Sequence, residues 1–229
     1  MKQKLVEYIQ KTHRNIPKLK EASFYNDIPV FIKDPFSENI SLGKVLHFIE
    51  KTIPKHLVYN VDTIYIGQFK IFREKEVNAA YEDGVLYVSN EQDDENDLID
   101  DIVHELAHAT EEKYSLEIYG DEKVEKEFIS KRLRLYEVLK SYDYSVFADD
   151  FTEIRYSEKF DNFLYKEIGY EKLEHFSIGL FLNNYSITSL KEYYATGFEY
   201  YFLQNAADVA SVCPDLYNKL ELLESLEEI

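Results

Sequence analysis

The chain has 229 residues, 45% of them hydrophobic and 15% aromatic, so it carries enough apolar side chain to form a single folded domain. Its 26 basic and 44 acidic side chains give a formal net charge of −18 at pH 7. That charge repels nucleic-acid phosphates and anionic membrane surfaces, so we expect neither nucleic acid nor a membrane as a partner.

Targeting signals and cysteine content bear on the cellular location of the protein and on the metal ligands it can supply. Residues 1–10 lack the apolar run of a signal peptide, because Glu7 and Gln10 interrupt it, and no segment approaches the length of a membrane span. We therefore expect a cytoplasmic protein. Cys213 is the only cysteine in the sequence, so neither an internal disulfide nor a thiolate metal cluster can form. Any metal must then be held by histidine and carboxylate side chains.

The first part of the chain with a clear pattern predicts one helix followed by strands. In residues 41–53 apolar side chains recur at helical spacing, and a proline ends the run. Residues 61–72 and 79–88 are rich in β-branched and aromatic residues, and an Asp83-Gly84 pair in the second segment indicates a turn. We expect strands or a hairpin in these two segments.

Helical patterns dominate the second half. They cover 97–114, the stretch after a Gly120-Asp121 break, 187–204, and a terminal helix from Pro214 toward Glu228. Residues 142–180 are aromatic and irregular. The sequence therefore predicts an α+β, helix-rich fold.

The motif that carries chemistry is DDIVHELAHATEE, residues 100–112. On a helix, His104 and His108 stand one turn apart on one face, so both imidazoles can reach one metal, and Glu105 projects beside them. This is the His-Glu-x-x-His zinc signature. The alternative is a pair of histidines satisfied on a core-facing helix, but the amphipathic helix that follows two strands favours zinc.

Zinc at this motif has two possible uses. One is hydrolysis of a peptide or protein substrate, and the other is a non-catalytic binding or effector protein whose lobes are stapled by zinc. A purely structural site is normally closed by a fourth protein ligand and has no need of a general base. Glu105 therefore favours the enzyme.

A catalytic zinc site normally has three protein ligands and one open position, so a third ligand is required. The extended metzincin pattern is excluded, because Glu111 and Tyr114 stand where it needs glycine and histidine. Two carboxylates are candidates. Glu127 lies nineteen positions after His108, as in many zinc aminopeptidases, whereas Glu192 lies in a later predicted helix.

The segment NNYSITSLKEYYATGFEYYF, residues 183–202, resembles a segment of the anthrax lethal factor-like zinc peptidases, a gluzincin family that includes the bacterial Pro-Pro endopeptidases. In that family a tyrosine precedes, by seven residues, a glutamate that is followed by two aromatics and alanine. The segment NAAYEDGVLYVSN, residues 78–90, is similar to the family's edge strand before the zinc helix. The resemblance covers roughly residues 61 to 205.

The resemblance implies a zincin-like metallopeptidase fold, with a small sheet above the zinc helix and a helical C-terminal lobe. It implies Glu192 as the third zinc ligand and Tyr185 as the tyrosine that faces the substrate carbonyl. One catalytic domain would then span residues 1–229. Its parts are a mainly helical 1–60, a catalytic core 61–205 with an insertion at 142–180, and a C-terminal helix 206–229.

Two features of the chain differ from the family pattern. His108 and Glu192 stand 84 positions apart, about twice the usual separation, which is why 142–180 is interpreted as an insertion. Gluzincins also tend to carry an acid one turn after the ligand glutamate, where it orients a zinc histidine, but Thr196 occupies that position. Glu199 or Asp101 could take this role.

The expected function is that of a zinc metalloendopeptidase that hydrolyses peptide bonds with a zinc-activated water. Glu105 would be the general base, and Tyr185 would stabilise the oxyanion. The alternatives are an aminopeptidase-like enzyme with Glu127 as ligand and the zinc-stapled binding protein.

Overall fold

A computed structural model describes residues 20–75 and 77–226, and it is helix-rich with one small mixed sheet. The strands are β1 (Lys20–Phe24), β2 (Ile28–Ile32), β3 (Thr63–Ile66), β4 (Ala79–Glu82) and β5 (Val85–Val88). Their order is β1-β2-β3-β5-β4. The β1/β2 and β4/β5 pairs are antiparallel, and the two central pairs are parallel. Strand β4 stands at one end of the order, so it is an edge strand.

The described residues contain eleven α-helices. They are α1 (Leu42–Thr52), α2 (Lys70–Lys75), α3 (Glu95–Lys113), α4 (Ser115–Tyr119), α5 (Lys123–Ser141), α6 (Ala148–Thr152), α7 (Glu158–Asn162), α8 (Tyr170–Ser177), α9 (Leu190–Leu203), α10 (Ala206–Val212) and α11 (Pro214–Glu224). Two 3-10 turns, Lys55–Val58 and Tyr185–Ile187, and a π-helix, Phe163–Ile168, complete the set. Among the described helices, none combines the length and apolarity of a membrane span.

Most of the predicted elements are confirmed. The helix expected over 41–53 is α1, the hairpin expected over 79–88 is β4 and β5, and the helix expected over 97–114 is α3. The predicted helix at 187–204 is α9, and Pro214 opens α11 as expected.

Three expectations differ from the structure. The strand expected over 61–72 ends at Ile66, because Gly67 has a φ of +147° and turns the chain, and α2 follows. The N-terminal part, expected to be mainly helical, contributes the β1/β2 hairpin; its residues 1–19 lie outside the described residues. Residues 142–180, expected to be irregular, form short helices instead.

Helix α3 lies beside the sheet and forms the centre of the core. Asp94 caps its start, since Oδ1 of Asp94 accepts hydrogen bonds from the N–H groups of Asn96 (2.7 Å) and Asp97 (3.1 Å). The helix packs against α9 and against strands β4 and β5. Its apolar face is buried: Leu98, Ile102, Val103, Leu106 and Ala109 are each 0% exposed. Burial of this face leaves the His104 side of the helix turned toward a cleft.

Candidate metal centre

The two histidines of the motif lie on one face of α3. The ring centroids of His104 and His108 are 5.0 Å apart, and the rings are inclined at 82°. Both side chains are mostly buried yet line the cleft. Successive turns of the helix therefore direct both imidazoles toward one point, as the four-residue spacing predicts.

Helix α9 brings a carboxylate to the same point. Oε2 of Glu192 lies 3.0 Å from Nε2 of His104, and its Oε1 lies 3.7 Å from Nε2 of His108. The three ligand atoms all lie within 4.8 Å of one another, so this group could hold a metal ion. Ser189 caps α9 by accepting a hydrogen bond from the N–H of Glu192 at 3.2 Å. The cap fixes the first turn of the helix, which carries the carboxylate.

The electrostatics of the group favour a positive charge. Burial alone would lower the pKa of His104, but its hydrogen bonds with Glu192 and Glu199 outweigh burial and raise that pKa to about 10. Burial would raise the pKa of Glu192, but His104 and His108 lower it overall. A proton or a divalent cation between these side chains satisfies the carboxylates.

The outer nitrogen of His104 has its own carboxylate partner. Nδ1 of His104 lies 3.4 Å from Oε2 of Glu199, which is two turns beyond Glu192 on α9. The other candidate, Asp101, instead accepts a hydrogen bond from Nε2 of Gln92 at 2.8 Å. Of the two acids left open by the sequence, the structure therefore places Glu199 against the histidine.

The acid of the motif, Glu105, is held by the edge strand. Oε2 of Glu105 accepts a hydrogen bond from the backbone N–H of Tyr81 at 2.6 Å. Tyr81 is fixed in turn, because its hydroxyl donates to the carbonyl of Asn60 (3.2 Å) and accepts from the N–H of Gly84 (3.2 Å). One oxygen of Glu105 is therefore anchored to the sheet. The family resemblance indicated an edge strand in residues 78–90, but no local signal in the sequence predicts that Tyr81 contacts Glu105.

Tyr185 also lies at the cleft. It occupies the 3-10 turn before α9, its ring centroid is 6.1 Å from that of His104, and 42% of the residue is exposed. Burial of the hydroxyl, assisted by the charge of Glu192, raises the pKa of Tyr185. The hydroxyl therefore keeps its proton at neutral pH and can act as a hydrogen-bond donor.

The cleft has a volume of about 990 Å³ and runs along β4 past the histidines. Beside it, a cavity of about 440 Å³ shares His104, Glu105 and Tyr185 with the cleft and extends to Asp100 near the first half of α3. The main cleft reaches Tyr119, beyond the other end of α3. Open space therefore lies on both sides of the histidine pair.

Glu127, the alternative ligand, has a different role. Its carboxylate accepts hydrogen bonds from the hydroxyl of Tyr193 (2.8 Å) and from the N–H groups of Asp215 (2.9 Å) and Leu216 (3.3 Å). It thereby caps α11 and lies outside the group that could hold a metal. The Cys213 thiol beside this cap is buried, and burial raises its pKa to about 11, which makes it a poor nucleophile.

A scan against protein-family models, a search of curated proteins and a search of solved structures each find no match for this chain.

Proposed function

We propose that this protein is a zinc-dependent metalloendopeptidase with a zincin-like core. The single observation that carries the proposal is the convergence of His104, His108 and Glu192 to within 4.8 Å beside an open edge strand. Two imidazole nitrogens and one carboxylate oxygen form the ligand set of many catalytic zinc sites. When bound, zinc would supply Lewis acidity toward water and toward the substrate carbonyl.

Glu105 is the general base of the proposed reaction. The Tyr81 N–H occupies only Oε2 of Glu105, so Oε1 remains available to take a proton from the attacking water. The water oxygen then forms a bond to the carbonyl carbon, the C–N bond breaks, and Glu105 passes the proton to the leaving amine. The anchored oxygen limits rotation of the carboxylate, which keeps the base aimed at the cleft.

Tyr185 stabilises the charge that develops on the carbonyl oxygen. Its hydroxyl is protonated at neutral pH, and its ring lies 6.1 Å from that of His104 in the lining of the cleft. A donor of this kind acts mainly in the transition state, when the oxygen becomes negative.

Strand β4 supplies the binding edge for an extended peptide. The carbonyl of Asn78 accepts a hydrogen bond from the N–H of Ser89 at 2.7 Å, and the bonds to β5 alternate from there along the strand. The backbone groups of Ala79 and Tyr81 consequently point away from β5, toward the cleft. Because the Tyr81 N–H already donates to Glu105, the edge offers a peptide the backbone groups of Ala79 and the carbonyl of Tyr81. Because open space continues on both sides of the histidines, the geometry favours cleavage within a chain over trimming of its end.

Two measurements test the proposal: the zinc content of the protein and its cleavage of peptides. We expect native mass spectrometry to find about one zinc per chain and His108→Ala to release it. Glu105→Gln should keep the zinc and the fold yet abolish cleavage of a peptide library, because an amide cannot accept the proton. Glu117→Gln, an exposed change of the same kind on α4, is the matched control. A zinc-stapled binding protein would tolerate Glu105→Gln, and absence of metal from the unmutated protein would refute the proposal.

A further inference from the structure

The outer nitrogen of His108 is buried without a hydrogen-bond partner. Within the described residues no donor or acceptor contacts Nδ1 of His108, and the nearest acid is Oε2 of Glu111 at 3.7 Å. Glu111 follows His108 by three positions on α3, so the two side chains share one face of the helix.

Glu111 is unusually buried for an acidic residue. It is only 5% exposed, and its other oxygen, Oε1, accepts a hydrogen bond of 2.5 Å from the hydroxyl of Tyr119. In the described part of the chain, no lysine or arginine forms an ion pair with it. A buried carboxylate is costly unless hydrogen bonds and an opposite charge compensate it. The tyrosine supplies one hydrogen bond, and the charge is left to His108.

A metal on Nε2 of His108 would supply that charge. An imidazole that binds a metal through Nε2 carries its proton on Nδ1, and a carboxylate that accepts this proton fixes the tautomer and makes the ring a better ligand. The gap of 3.7 Å is slightly longer than a hydrogen bond, and a small rotation of either side chain closes it. The buried carboxylate of Glu111, with the Tyr119 hydroxyl on its other oxygen, therefore suits the metal-bound form of His108, which carries a proton on Nδ1.

We propose that Glu111 is a positioning residue that holds His108 through Nδ1 and that Tyr119 holds Glu111 in place, an inference that rests on the proposed function. In the structure these groups lie in a row, Tyr119 to Glu111 to His108, that joins the end of α4 to the candidate metal site. Metal binding would then order α4 as well as the two ligand helices.

Zinc affinity tests the proposal directly. The zinc dissociation constant is measured by competition with a chelator for the unmutated protein, Glu111→Gln, Tyr119→Phe and the control Glu117→Gln. We expect Glu111→Gln to weaken zinc binding by about 10- to 100-fold, Tyr119→Phe to weaken it less, and the control to leave it unchanged. Glu111→Asp, which retains the charge, should recover part of the loss. An affinity in Glu111→Gln within twofold of the unmutated protein would overturn the inference.

Two spectroscopic measurements separate positioning from a general effect on folding. In the zinc-loaded protein, proton NMR should show a low-field Nδ1–H resonance from His108 that moves when Glu111 is changed to Gln. Zinc should also slow amide hydrogen exchange over residues 115–119 in the unmutated protein and have a smaller effect in Tyr119→Phe. If Glu111→Gln does not fold, Tyr119→Phe still decides the question, because equal protection by zinc in that variant would overturn the proposed row. If the unmutated protein binds no zinc, by contrast, the proposed function itself is refuted.

Discussion

Oε2 of Glu192 lies 3.0 Å from Nε2 of His104, although the two residues stand 88 positions apart in the chain. The contact exists because α9 packs along α3, with the Ser189 cap holding the first turn of α9. The candidate metal site is thus a product of helix packing, and its third ligand arrives on a different element from the histidines.

The third ligand can be tested by changing two glutamates separately. We expect Glu192→Gln to weaken zinc binding at least about tenfold, because it replaces a charged ligand with a neutral amide. Glu127→Gln should leave zinc affinity nearly unchanged but lower the free energy of unfolding by about 1–3 kcal/mol, because it weakens the cap on α11. Chelator competition measures the first quantity and urea denaturation the second. The reverse ranking of zinc affinities would favour the aminopeptidase-like geometry.

Tyr185→Phe isolates the proposed oxyanion donor. The substitution removes only the hydroxyl, and one such donor is worth up to about 3 kcal/mol, or roughly 100-fold in kcat. Zinc affinity and KM should change little, because the group acts mainly in the transition state. Steady-state kinetics on a peptide found in the library screen provides the measurement. Tyr142→Phe, an exposed tyrosine outside the cleft, is the control, and equal turnover in both variants would remove Tyr185 from this role.

Glu199→Gln and Asp101→Asn together identify the acid that supports His104. Glu199 contacts Nδ1 of His104, whereas Asp101 is engaged by Gln92. We expect Glu199→Gln to weaken zinc binding about tenfold or more, and Asp101→Asn to have a much smaller effect. Titration with zinc in a competing chelator measures both. A larger loss in Asp101→Asn would show that the supporting acid had been assigned to the wrong residue.

Local patterns predicted the elements whose signals lie within a few residues of one another. The helical spacing of apolar residues over 97–114 identified α3, and the Asp83-Gly84 pair identified the β4/β5 turn, where Asp83 has a φ of +48° and Gly84 of +82°. The segment around Glu192 was singled out through a family resemblance, and the structure brings that glutamate to the histidines.

Features that depend on distant contacts could not be predicted. The β1/β2 hairpin turns at Tyr25 and Asn26, which have φ values of +49° and +69°. Tyrosine rarely adopts this conformation, and here the N–H of Tyr25 donates to Oε1 of Glu50 at 2.6 Å while its hydroxyl donates to the carbonyl of Ile53. Glu50 lies in α1 and Ile53 follows it directly, so no pattern near Tyr25 in the sequence predicts the turn.

The packing that positions α9 can be tested at Gly197. A Cβ at this position would overlap Cδ2 of Leu216 and lie 3.1 Å from its Cγ, and Leu216 is a buried residue of α11. We expect Gly197→Ala to lower the free energy of unfolding by about 1–3 kcal/mol, because overpacking outweighs the gain in helix propensity. Urea denaturation gives this value.

Gly43 provides the matched control for this change. It lies in α1, and a Cβ added there meets nothing within 4 Å. Gly43→Ala should therefore raise the free energy of unfolding by about 0.5–1 kcal/mol, the usual advantage of alanine over glycine in a helix. Because α9 also carries Glu192, Gly197→Ala should weaken zinc binding as well, whereas Gly43→Ala should leave it unchanged. Equal stability and equal zinc affinity in the two variants would mean that the contact with Leu216 does not set the position of α9.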